Sequence, residues 1–410
     1  MSIHHESGGA GSLGFDFPTE IVVEGDVRVL VPKLEAYKTK AWEYAPSKAP
    51  VFYNPAMEMN RDIAVLALQA YGRKVPHGLV VSEPLAGCGV RGVRFAVEVD
   101  NVEKVAMNDI NPLAVKMIEY NIRLNKVEGK ASAENKDANL FLSQYAAPRV
   151  RFDYIDVDPF GSPVPYLDSA VRALRNGGLI ALTATDMAPL CGVHPNASLR
   201  KYGGKPLRTE YCHEIAVRLL IGSLVFAAAK HEMGVKPALA YAVNHYCRLY
   251  AFIRHGARRA DESIRRMGYI LHCFNCLHRE THMGMVPRLE WKCPNCGSVM
   301  EAAGPLWLGE LSDEGFCEST VREAERRELK ESKRIMRLLS LIKGESGGPA
   351  TYYTIDKICD KHNLRIPPLK SVITKIREKG FKAVPTHFNS RGVRTDAPSR
   401  VVKEAVEESL

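Results

Sequence analysis

The sequence lacks a long hydrophobic run and a signal-like N-terminus, and both absences limit where the protein can act. No apolar stretch reaches the roughly 20 residues that a membrane-spanning helix needs. The N-terminal residues do not show a charged segment followed by an apolar one, which is the pattern of a secretory signal. We therefore expect a cytoplasmic protein that has no membrane partner, and no obligate protein partner is evident.

A disulfide framework is also missing. Of the 10 cysteines, six are scattered along the chain, which is typical of a reducing compartment. The remaining cysteines form two Cys-x-x-Cys pairs: Cys273, Cys276, Cys293 and Cys296. Two such pairs separated by 16 residues are typical of a closed, structural Zn²⁺ ribbon. His272, His278 and His282 lie near the first pair and could replace a ligand, although four thiolates already complete the coordination.

The charge balance is only mildly basic. A formal net charge of +9 and a pI near 8.9 permit a polyanionic partner without requiring one. The hydrophobic fraction of 46% and the charged fraction of 25% are ordinary for a globular protein. A chain of 410 residues is long enough for two or three domains.

Short apolar strands alternate with helical patterns from about residue 79 to residue 255. This alternation predicts an α/β fold with a parallel sheet and crossover helices. The expected strands cover 79–82, 104–109, 130–134, 152–157 and 178–183, with closing strands at 237–244 and 248–254. The expected helices cover 55–70, 91–99, 111–125 and 211–230.

The character of the chain changes after about residue 258. The later segments are a cysteine-rich stretch at 271–300, a charged helix over 319–343, short helices at 354–362 and 368–379, and a hairpin at 381–395. A helix, helix and wing order is found in small nucleic-acid-binding modules. We predict a flexible tail at 1–14, a catalytic domain at 15–258 and a docking domain at 259–410, with its winged-helix-like part at 350–398.

The most informative stretch is Ile155-Asp-Val-Asp-Pro-Phe-Gly161, which ends an apolar run. Asp158 should project from the carboxyl edge of a buried strand, where open α/β sheets bind ligands. An acid, a proline and an aromatic suit methylation of an exocyclic amine on a flat base. The Asp158 carboxylate and the Pro159 carbonyl can accept the two N–H groups of the amine, and the Phe160 ring can stack on the base. A strand-capping Asp beside a core Phe is an equally good interpretation of these residues alone.

Two glycines and an acid indicate a nucleoside cofactor. Glu83-x-x-x-Gly87-x-Gly89 follows a predicted strand, and Asp109 ends the next strand, where a carboxylate can hold two ribose hydroxyls. The glycine loop does not exclude a nicotinamide dinucleotide. The Asp-Pro-Phe motif favours S-adenosylmethionine because hydride transfer has no use for it. Asp137, after the third strand, is placed to meet an adenine amino group or is an ordinary loop residue.

Several longer motifs resemble those of the tRNA guanine-26 N2-dimethyltransferases, a family of archaea and eukaryotes, over Val51 to Pro398. The motifs are Val51-Phe-Tyr-Asn-Pro-x-Met-x-x-Asn-Arg-Asp62, Val90-Arg-Gly-Val-Arg94, Asn108-Asp-Ile110, Asp158-Pro-Phe-Gly-Ser-Pro163, Thr185-Asp-x-Ala-Pro-Leu-Cys-Gly192 and Thr386-His-Phe388. The resemblance implies a class I (Rossmann-like) methyltransferase fold. It also implies transfer of one or two methyl groups from S-adenosylmethionine to the exocyclic N2 of guanine 26 in tRNA. The zinc site depends on the spacing in this chain, because only some members have it.

The resemblance also implies roles for individual residues. Phe52 and Phe160 would sandwich the target guanine, and Asp158 would hold its N2 amine and help to remove the proton. Contacts with S-adenosylmethionine are implied for Arg61, Arg91, Asp109, Asp137 and Ala138. From the residues alone, Phe52 is an ordinary core aromatic and Arg61 belongs to a surface salt bridge.

Two other functions stay open. An N-methyltransferase acting on DNA adenine, ribosomal RNA or a protein amide would use the same Asp-Pro-aromatic motif, and an RNA-binding scaffold without catalysis would keep the ribbon. We expect Cys191 to be structural, because an exocyclic nitrogen needs no covalent activation. Three basic stretches could contact phosphates. They are Arg200, Lys201, Lys205 and Arg208; Arg254, Arg258, Arg259, Arg265 and Arg266; and Lys370, Lys375, Arg377, Lys379, Lys382, Arg391 and Arg394.

Overall fold

The computed structural model describes residues 14–40, 43–44, 46–243 and 245–410. The chain divides into two compact units, Met1–Gln144 and Tyr145–Leu410. The tail predicted at 1–14 lies, apart from Gly14, outside the described residues, as does residue 244 of the strand predicted at 237–244. The domain boundary after residue 258 stays a prediction.

The first unit contains a parallel sheet of β5, β6 and β7 and two antiparallel pairs, β1 with β2 and β3 with β4. The strands of this unit are β1 (Thr19–Glu24), β2 (Val27–Pro32), β3 (Lys38–Lys40), β4 (Glu43–Tyr44), β5 (Leu79–Glu83), β6 (Val102–Asn108) and β7 (Ala131–Glu134). Its helices are α1 (Glu58–Gly72), α2 (Val90–Glu98), α3 (Pro112–Leu124) and α4 (Ala138–Gln144). β6 pairs in parallel with both β5 and β7, so α2 and α3 are the crossover helices. The antiparallel pair of β1 and β2 was not predicted.

The second unit contains a larger, mixed sheet and two small ones. Its strands are β8 (Phe152–Val157), β9 (Leu174–Ala184), β10 (Met233–Val243), β11 (Tyr246–His255), β12 (Met267–His272), β13 (Arg279–Met283), β14 (Glu301–Trp307), β15 (Tyr353–Thr354), β16 (Ala383–Pro385) and β17 (Gly392–Thr395). Its helices are α5 (Leu167–Ala173), α6 (Met187–Leu190), α7 (Pro195–Tyr202), α8 (Cys212–Ala229), α9 (Ala257–Arg265), α10 (Glu314–Glu325), α11 (Ser332–Gly344), α12 (Ile355–His362), α13 (Leu369–Glu378) and α14 (Ser399–Glu407).

Strand direction in the second unit differs from the expected parallel sheet. β8 and β9 are parallel, whereas β11 is antiparallel to both β9 and β10. β10 ends at Val243 and β11 begins at Tyr246. Two intervening residues are too few for a parallel pair, whose crossover needs a dozen or more. The sheet is therefore mixed at its closing strands.

The single charged helix predicted over 319–343 is wrong, because α10 and α11 occupy this region as two helices. They fold back on each other, and Lys343 Nζ of α11 lies 2.6 Å from Glu318 Oε1 of α10. Each helix has its own buried apolar residues, such as Phe316 in α10 and Leu339 in α11. Folding back lets both apolar stripes reach a core. No proline or glycine marks the break in the sequence between the two helices.

α8 is a core helix with an apolar sequence. Among the described residues it is the one helix long and apolar enough to cross a membrane by length and composition, which the sequence expectation did not anticipate. However, 78% of its 18 residues are buried inside the protein. α8 also contains a buried ion pair, in which Arg218 Nη2 lies 2.7 Å from Glu214 Oε1. Burial within the protein accounts for its apolar composition.

Glu214 is the centre of a buried polar cluster that joins α8 to the C-terminal elements. Its carboxylate lies 2.9 Å from Arg394 Nη2 on β17 and accepts a hydrogen bond of 2.8 Å from Thr351 N. Arg394 also contacts the carboxylate of Glu345 at 2.8 Å. Burial alone would raise the pKa of Glu214, but Arg394 and Arg218 hold it at about 2.

The pH dependence of stability tests this cluster. Because the folded pKa of Glu214 is about 2 and its ordinary value is 4.5, the stabilisation is complete above pH 4.5 and is lost as the pH falls toward 2. The shift corresponds to about 3 kcal/mol. We expect the free energy of unfolding, from denaturant titrations between about pH 5 and about pH 3, to fall more steeply for the wild type than for Glu214→Gln. Equal slopes would contradict this assignment.

Candidate active site and metal site

The residues Asp158, Pro159 and Phe160 follow directly after β8, as predicted. Asp158 is half-buried and Pro159 is buried, whereas the Phe160 side chain is 68% exposed. We call residues 158–161 the acid–aromatic loop. An exposed ring on such a loop is available to stack on a planar base, so the alternative of a core Phe is wrong.

Thr185, which follows β9, fixes the acid–aromatic loop at its last residue. Gly161 N donates a hydrogen bond of 2.8 Å to Thr185 Oγ1, and Thr185 N donates one of 2.9 Å to Gly161 O. Gly161 has a φ of +79°, and nothing lies within 4 Å of where its Cβ would be. Glycine is therefore needed here for its backbone conformation and not for space.

Asp109 is bound to the glycine loop that precedes α2. Asp109 Oδ2 accepts a hydrogen bond of 2.8 Å from Gly87 N, and Oδ1 accepts one of 2.9 Å from Asn111 N. Burial raises the pKa of Asp109. Each carboxylate oxygen can accept a further hydrogen bond, so this group can still hold hydroxyls of a ribose.

Phe52 lies against the same glycine loop. Cys88 N donates a hydrogen bond of 3.3 Å to Phe52 O. Gly87 has a φ of +56°, and a Cβ there would lie 3.0 Å from the same carbonyl oxygen. A side chain at Gly87 would therefore be both strained and crowded. The Phe52 side chain is half-buried beside this loop.

Asn108 is a positioning residue for which no role was predicted. Its side-chain Nδ2 donates hydrogen bonds of 3.0 Å to the carbonyl oxygens of Pro84 and Lys136. Its Oδ1 accepts one of 3.0 Å from Lys136 N. The fully buried amide thus joins the end of β6 to the segments that follow β5 and β7. The only signal in the sequence was an asparagine near the end of a predicted strand.

Asp137 caps helix α4. Its Oδ1 accepts hydrogen bonds of 2.9 Å from Asn139 N and 3.1 Å from Leu140 N, which is the geometry of a helix N-cap. Asp137 is exposed, and Ala138 is buried. The helix cap agrees with the interpretation of Asp137 as an ordinary loop residue. A contact between Asp137 and an adenine amino group stays a prediction.

Arg61 and Arg91 are buried and paired with acids. Arg61 Nη2 lies 2.6 Å from Glu24 Oε2, and Arg91 Nε lies 3.4 Å from Glu83 Oε1. Arg61 therefore does form a salt bridge, but the salt bridge is buried and not at the surface as predicted. Burial alone would raise the pKa of Glu24, but Arg61 and then Arg94 hold it below its ordinary value. The contacts of Arg61 and Arg91 with a cofactor stay predictions.

The four predicted cysteine ligands lie together. Their Sγ atoms are all within 4.8 Å of one another. The separations are 3.5 Å between Cys273 and Cys296 and 3.4 Å between Cys276 and Cys293. A tetrahedral Zn²⁺ with Zn–S bonds of about 2.3 Å requires sulfur atoms about 3.8 Å apart. The donor set therefore fits a structural zinc ion.

Both cysteine pairs form the same turn. Leu277 N donates a hydrogen bond of 2.9 Å to Cys273 O, and Gly297 N donates one of 2.9 Å to Cys293 O. Leu277 has a φ of +61°, and Gly297 has one of +72°. The side chain of Leu277 is buried in the core that contains α12, α13 and α14. The turn at the first cysteine pair is thereby packed against the winged-helix-like part. Helix α14 follows this part and was not predicted.

The neighbouring histidines have other partners. His272 Nδ1 lies 3.1 Å from Tyr211 OH. His278 and His282 both contact the carboxylate of Glu280, at 2.9 Å and 3.2 Å. The four thiols therefore form the site without a histidine ligand.

Cys191 is not set up as a nucleophile. A hydrogen bond with Cys212 is the main cause that raises the pKa of its thiol. A raised pKa lowers the fraction of thiolate, which is the reactive form. This agrees with the expected structural role of Cys191.

Two of the basic stretches lie at opposite edges of the β8–β9–β11 sheet. Arg200 and Lys201 belong to α7, which follows the carboxyl end of β9. Arg254 lies at the far end of β11, which runs antiparallel to β9, and α9 follows it. The acid–aromatic loop therefore shares its edge with the first stretch and not with the second.

Comparisons with known proteins agree on one family. The family described as N2,N2-dimethylguanosine tRNA methyltransferase matches residues 25–407. A tRNA (guanine(26)-N(2))-dimethyltransferase of Methanothermobacter thermautotrophicus is 42% identical over 94% of this chain and 98% of that protein. A tRNA (guanine(26)-N(2)/guanine(27)-N(2))-dimethyltransferase of Aquifex aeolicus is 38% identical over 95% of this chain and 96% of that protein.

A solved structure has the same fold. Trm1 from Pyrococcus horikoshii, in complex with S-adenosyl-L-methionine, aligns with a TM-score of 0.82 and 34% identity, over 94% of this chain and 99% of that chain. The expected class I methyltransferase fold is therefore confirmed. Because the family match and both relatives extend over nearly the whole chain, this protein belongs to the N2,N2-dimethylguanosine tRNA methyltransferase family.

Proposed function

We propose that this protein transfers one or two methyl groups from S-adenosylmethionine to the exocyclic N2 of guanine 26 in tRNA. The observation that carries the proposal is the acid–aromatic loop, in which an acid and an exposed phenylalanine follow a buried strand on a loop fixed by Thr185. The relatives that share this family are named for the same reaction.

The chemistry requires an aimed nitrogen lone pair. The amine of guanine is a poor nucleophile because its lone pair is delocalised into the ring. Asp158 and the Pro159 carbonyl accept its N–H groups, and Phe160 holds the plane of the base. When bound, S-adenosylmethionine supplies an electrophilic methyl group on a sulfonium. The N–CH₃ bond forms as the S–CH₃ bond breaks, and Asp158 helps to remove the proton from the amine.

The target base has to leave its stack to reach these groups. Unstacking costs a few kcal/mol, which aromatic contacts with the extruded base offset. We propose that Phe160 provides one such contact and Phe52 the other. The C-terminal part, from residue 259 onward, is proposed to dock the folded tRNA, with the protein acting in the cytoplasm.

We propose that Asp109 binds the ribose hydroxyls of the cofactor and that Asp137 and Ala138 contact its adenine. Arg61 and Arg91 are proposed to contact the methionyl part. Most donors of Arg61 are already engaged by Glu24 and by the carbonyl of Asn54. Its contribution to the cofactor would therefore be smaller than that of an unpaired arginine.

Asp158→Ala is expected to lower methyl transfer to tRNA by about 10²–10⁴-fold, because it removes the group that aims and deprotonates the amine. The dissociation constant for S-adenosylmethionine should change little. Both are measured with a methyl-labelled cofactor and by equilibrium dialysis. Asp168→Ala is the control, since this acid is 56% exposed on α5. Transfer by Asp158→Ala at the level of the control would contradict the assigned role.

Phe160→Ala is expected to lower kcat/KM for tRNA by roughly 5–150-fold, which corresponds to the 1–3 kcal/mol of one base–aromatic stack. Phe160→Trp keeps a flat ring and should retain most of the activity. Single-turnover methylation of an unmodified transcript measures both variants. If the alanine and tryptophan variants lose activity equally, the ring does not act by stacking.

The metal site predicts one zinc ion per chain, measured by elemental mass spectrometry. Cys276→Ser is expected to lose the zinc and to unfold at a lower temperature, because a structural zinc site contributes directly to folding. Cys191→Ser, which changes a thiol outside the four-cysteine group, should retain the metal. Retention of zinc by both variants would argue against the assigned ligand set.

A further inference from the structure

Arg248 joins three strands just below the acid–aromatic loop. From β11, its Nη1 and Nη2 atoms donate to the two carboxylate oxygens of Asp156 on β8, at 2.8 Å and 2.5 Å. The same Nη1 also donates a hydrogen bond of 2.7 Å to Thr183 Oγ1 on β9. All three residues are completely buried. One guanidinium group therefore fixes the ends of β8 and β9 relative to β11.

The positions of these partners connect the ion pair to the candidate active site. Asp156 lies two residues before Asp158, and Thr183 lies two residues before Thr185. Thr185 binds both backbone groups of Gly161. The acid–aromatic loop is thus attached at its start to the end of β8 and, through Thr185, at its last residue to the end of β9. Arg248 binds each of these strands two residues before Asp158 or Thr185.

Asp156 has a further buried partner. Besides the two bonds from Arg248, its Oδ2 accepts a hydrogen bond of 2.7 Å from Tyr154 OH. A buried pair of this kind is weak evidence for stability, because two apolar side chains of similar volume often stabilise a fold as well or better. An ion pair with a fixed, forked geometry can instead specify one arrangement of the groups that it joins.

We propose that Arg248 is a positioning residue for methyl transfer, acting through Asp156 and Thr183 to set where Asp158 and Phe160 hold the target amine. This inference rests on the proposed function. Asp158 and Phe160 would touch the base, whereas Arg248 would act only through the strand ends. A displacement of about 1 Å in a reacting group can cost 10²-fold in rate.

The second methyl transfer should depend on this positioning more than the first. The unmethylated amine has two N–H groups that the loop can hold, whereas the monomethylated amine has only one. A loosened loop should therefore lower the ratio of dimethylated to monomethylated guanosine. A merely structural role for the ion pair would leave that ratio unchanged in a folded variant.

The test uses the full-length double variant Asp156→Val/Arg248→Met, which removes both charges and leaves no unpaired one. We expect a lower denaturation midpoint, because the buried hydroxyls of Tyr154 and Thr183 lose these partners. The dissociation constant of the folded variant for S-adenosylmethionine should be unchanged. We expect kcat to fall by roughly 10–100-fold, KM for tRNA to change less than about threefold, and the dimethyl to monomethyl ratio to fall.

The matched control is Asp153→Val/Arg175→Met. This pair also joins β8 to β9, with 2.6 Å between Arg175 Nη1 and Asp153 Oδ2, but at the opposite ends of the two strands. The control should keep the wild-type kcat and product ratio. An equal loss in both double variants would show a general effect of disturbing β8 and β9 and would overturn the inference.

Wild-type kcat and product ratio in a folded Asp156→Val/Arg248→Met variant would also overturn it. If that variant does not fold, Arg248→Lys decides, because lysine keeps the charge but not the fork. A lower kcat and product ratio in folded Arg248→Lys would support the inference, and wild-type values would refute it. A wild-type protein that does not methylate guanine N2 in tRNA would instead refute the proposed function.

Discussion

Hydrogen bonds between the ends of neighbouring strands hold Asp109 and the acid–aromatic loop in place. In the first unit, Asn108 at the end of β6 joins the segments after β5 and β7, and Asp109 binds the glycine loop through Gly87 N. In the second unit, Thr185 holds Gly161, and Arg248 holds the strand ends beneath. In both units, a polar group that follows one strand forms a hydrogen bond with the segment that follows a neighbouring strand. The requirement that buried polar groups be paired therefore also fixes the geometry of the site.

Polar and apolar contacts also join α8 and the first cysteine turn to the C-terminal elements of the second unit. Glu214 connects α8 to Arg394, and Glu345 continues the cluster to Thr386 and His387. The Thr386-His-Phe388 motif, for which no role was predicted, thus belongs to this connection. In addition, Leu277 of the turn at the first cysteine pair packs into the core around α12 and α13. Removal of the metal is therefore coupled to packing outside the ribbon.

Much of the fold could be predicted because burial leaves a local periodicity in the sequence. The predicted strands and helices between residues 79 and 255 lie within a few residues of their expected positions, whereas helices α4 to α7 were not predicted. The end of the apolar run at Val157 also placed Asp158 at a strand edge. The break between α10 and α11 could not be predicted, because neither glycine nor proline marks it. It results from the packing of two apolar stripes, which is a property of the tertiary structure.

The residue types that form the sites could be predicted from the sequence, but the partners that these residues contact could not. The four cysteines are spaced as metal ligands, so their proximity followed from the sequence. The partner of Arg61 did not, because Glu24 lies 37 residues upstream in a hairpin that no local pattern indicated. Likewise Asp156 and Arg248 are separated by 92 residues, and only the register of β8, β9 and β11 brings them together.

The most direct test of the account is the product of the purified protein itself. An unmodified tRNA transcript and a transcript with adenine in place of guanine 26 are incubated with methyl-labelled S-adenosylmethionine, and their nucleosides are analysed by mass spectrometry. We expect N2-methylguanosine or N2,N2-dimethylguanosine at position 26 in the first transcript and neither of them at that position in the second. Binding of the cofactor without any methylated guanosine, or a methyl group on another atom, would contradict it.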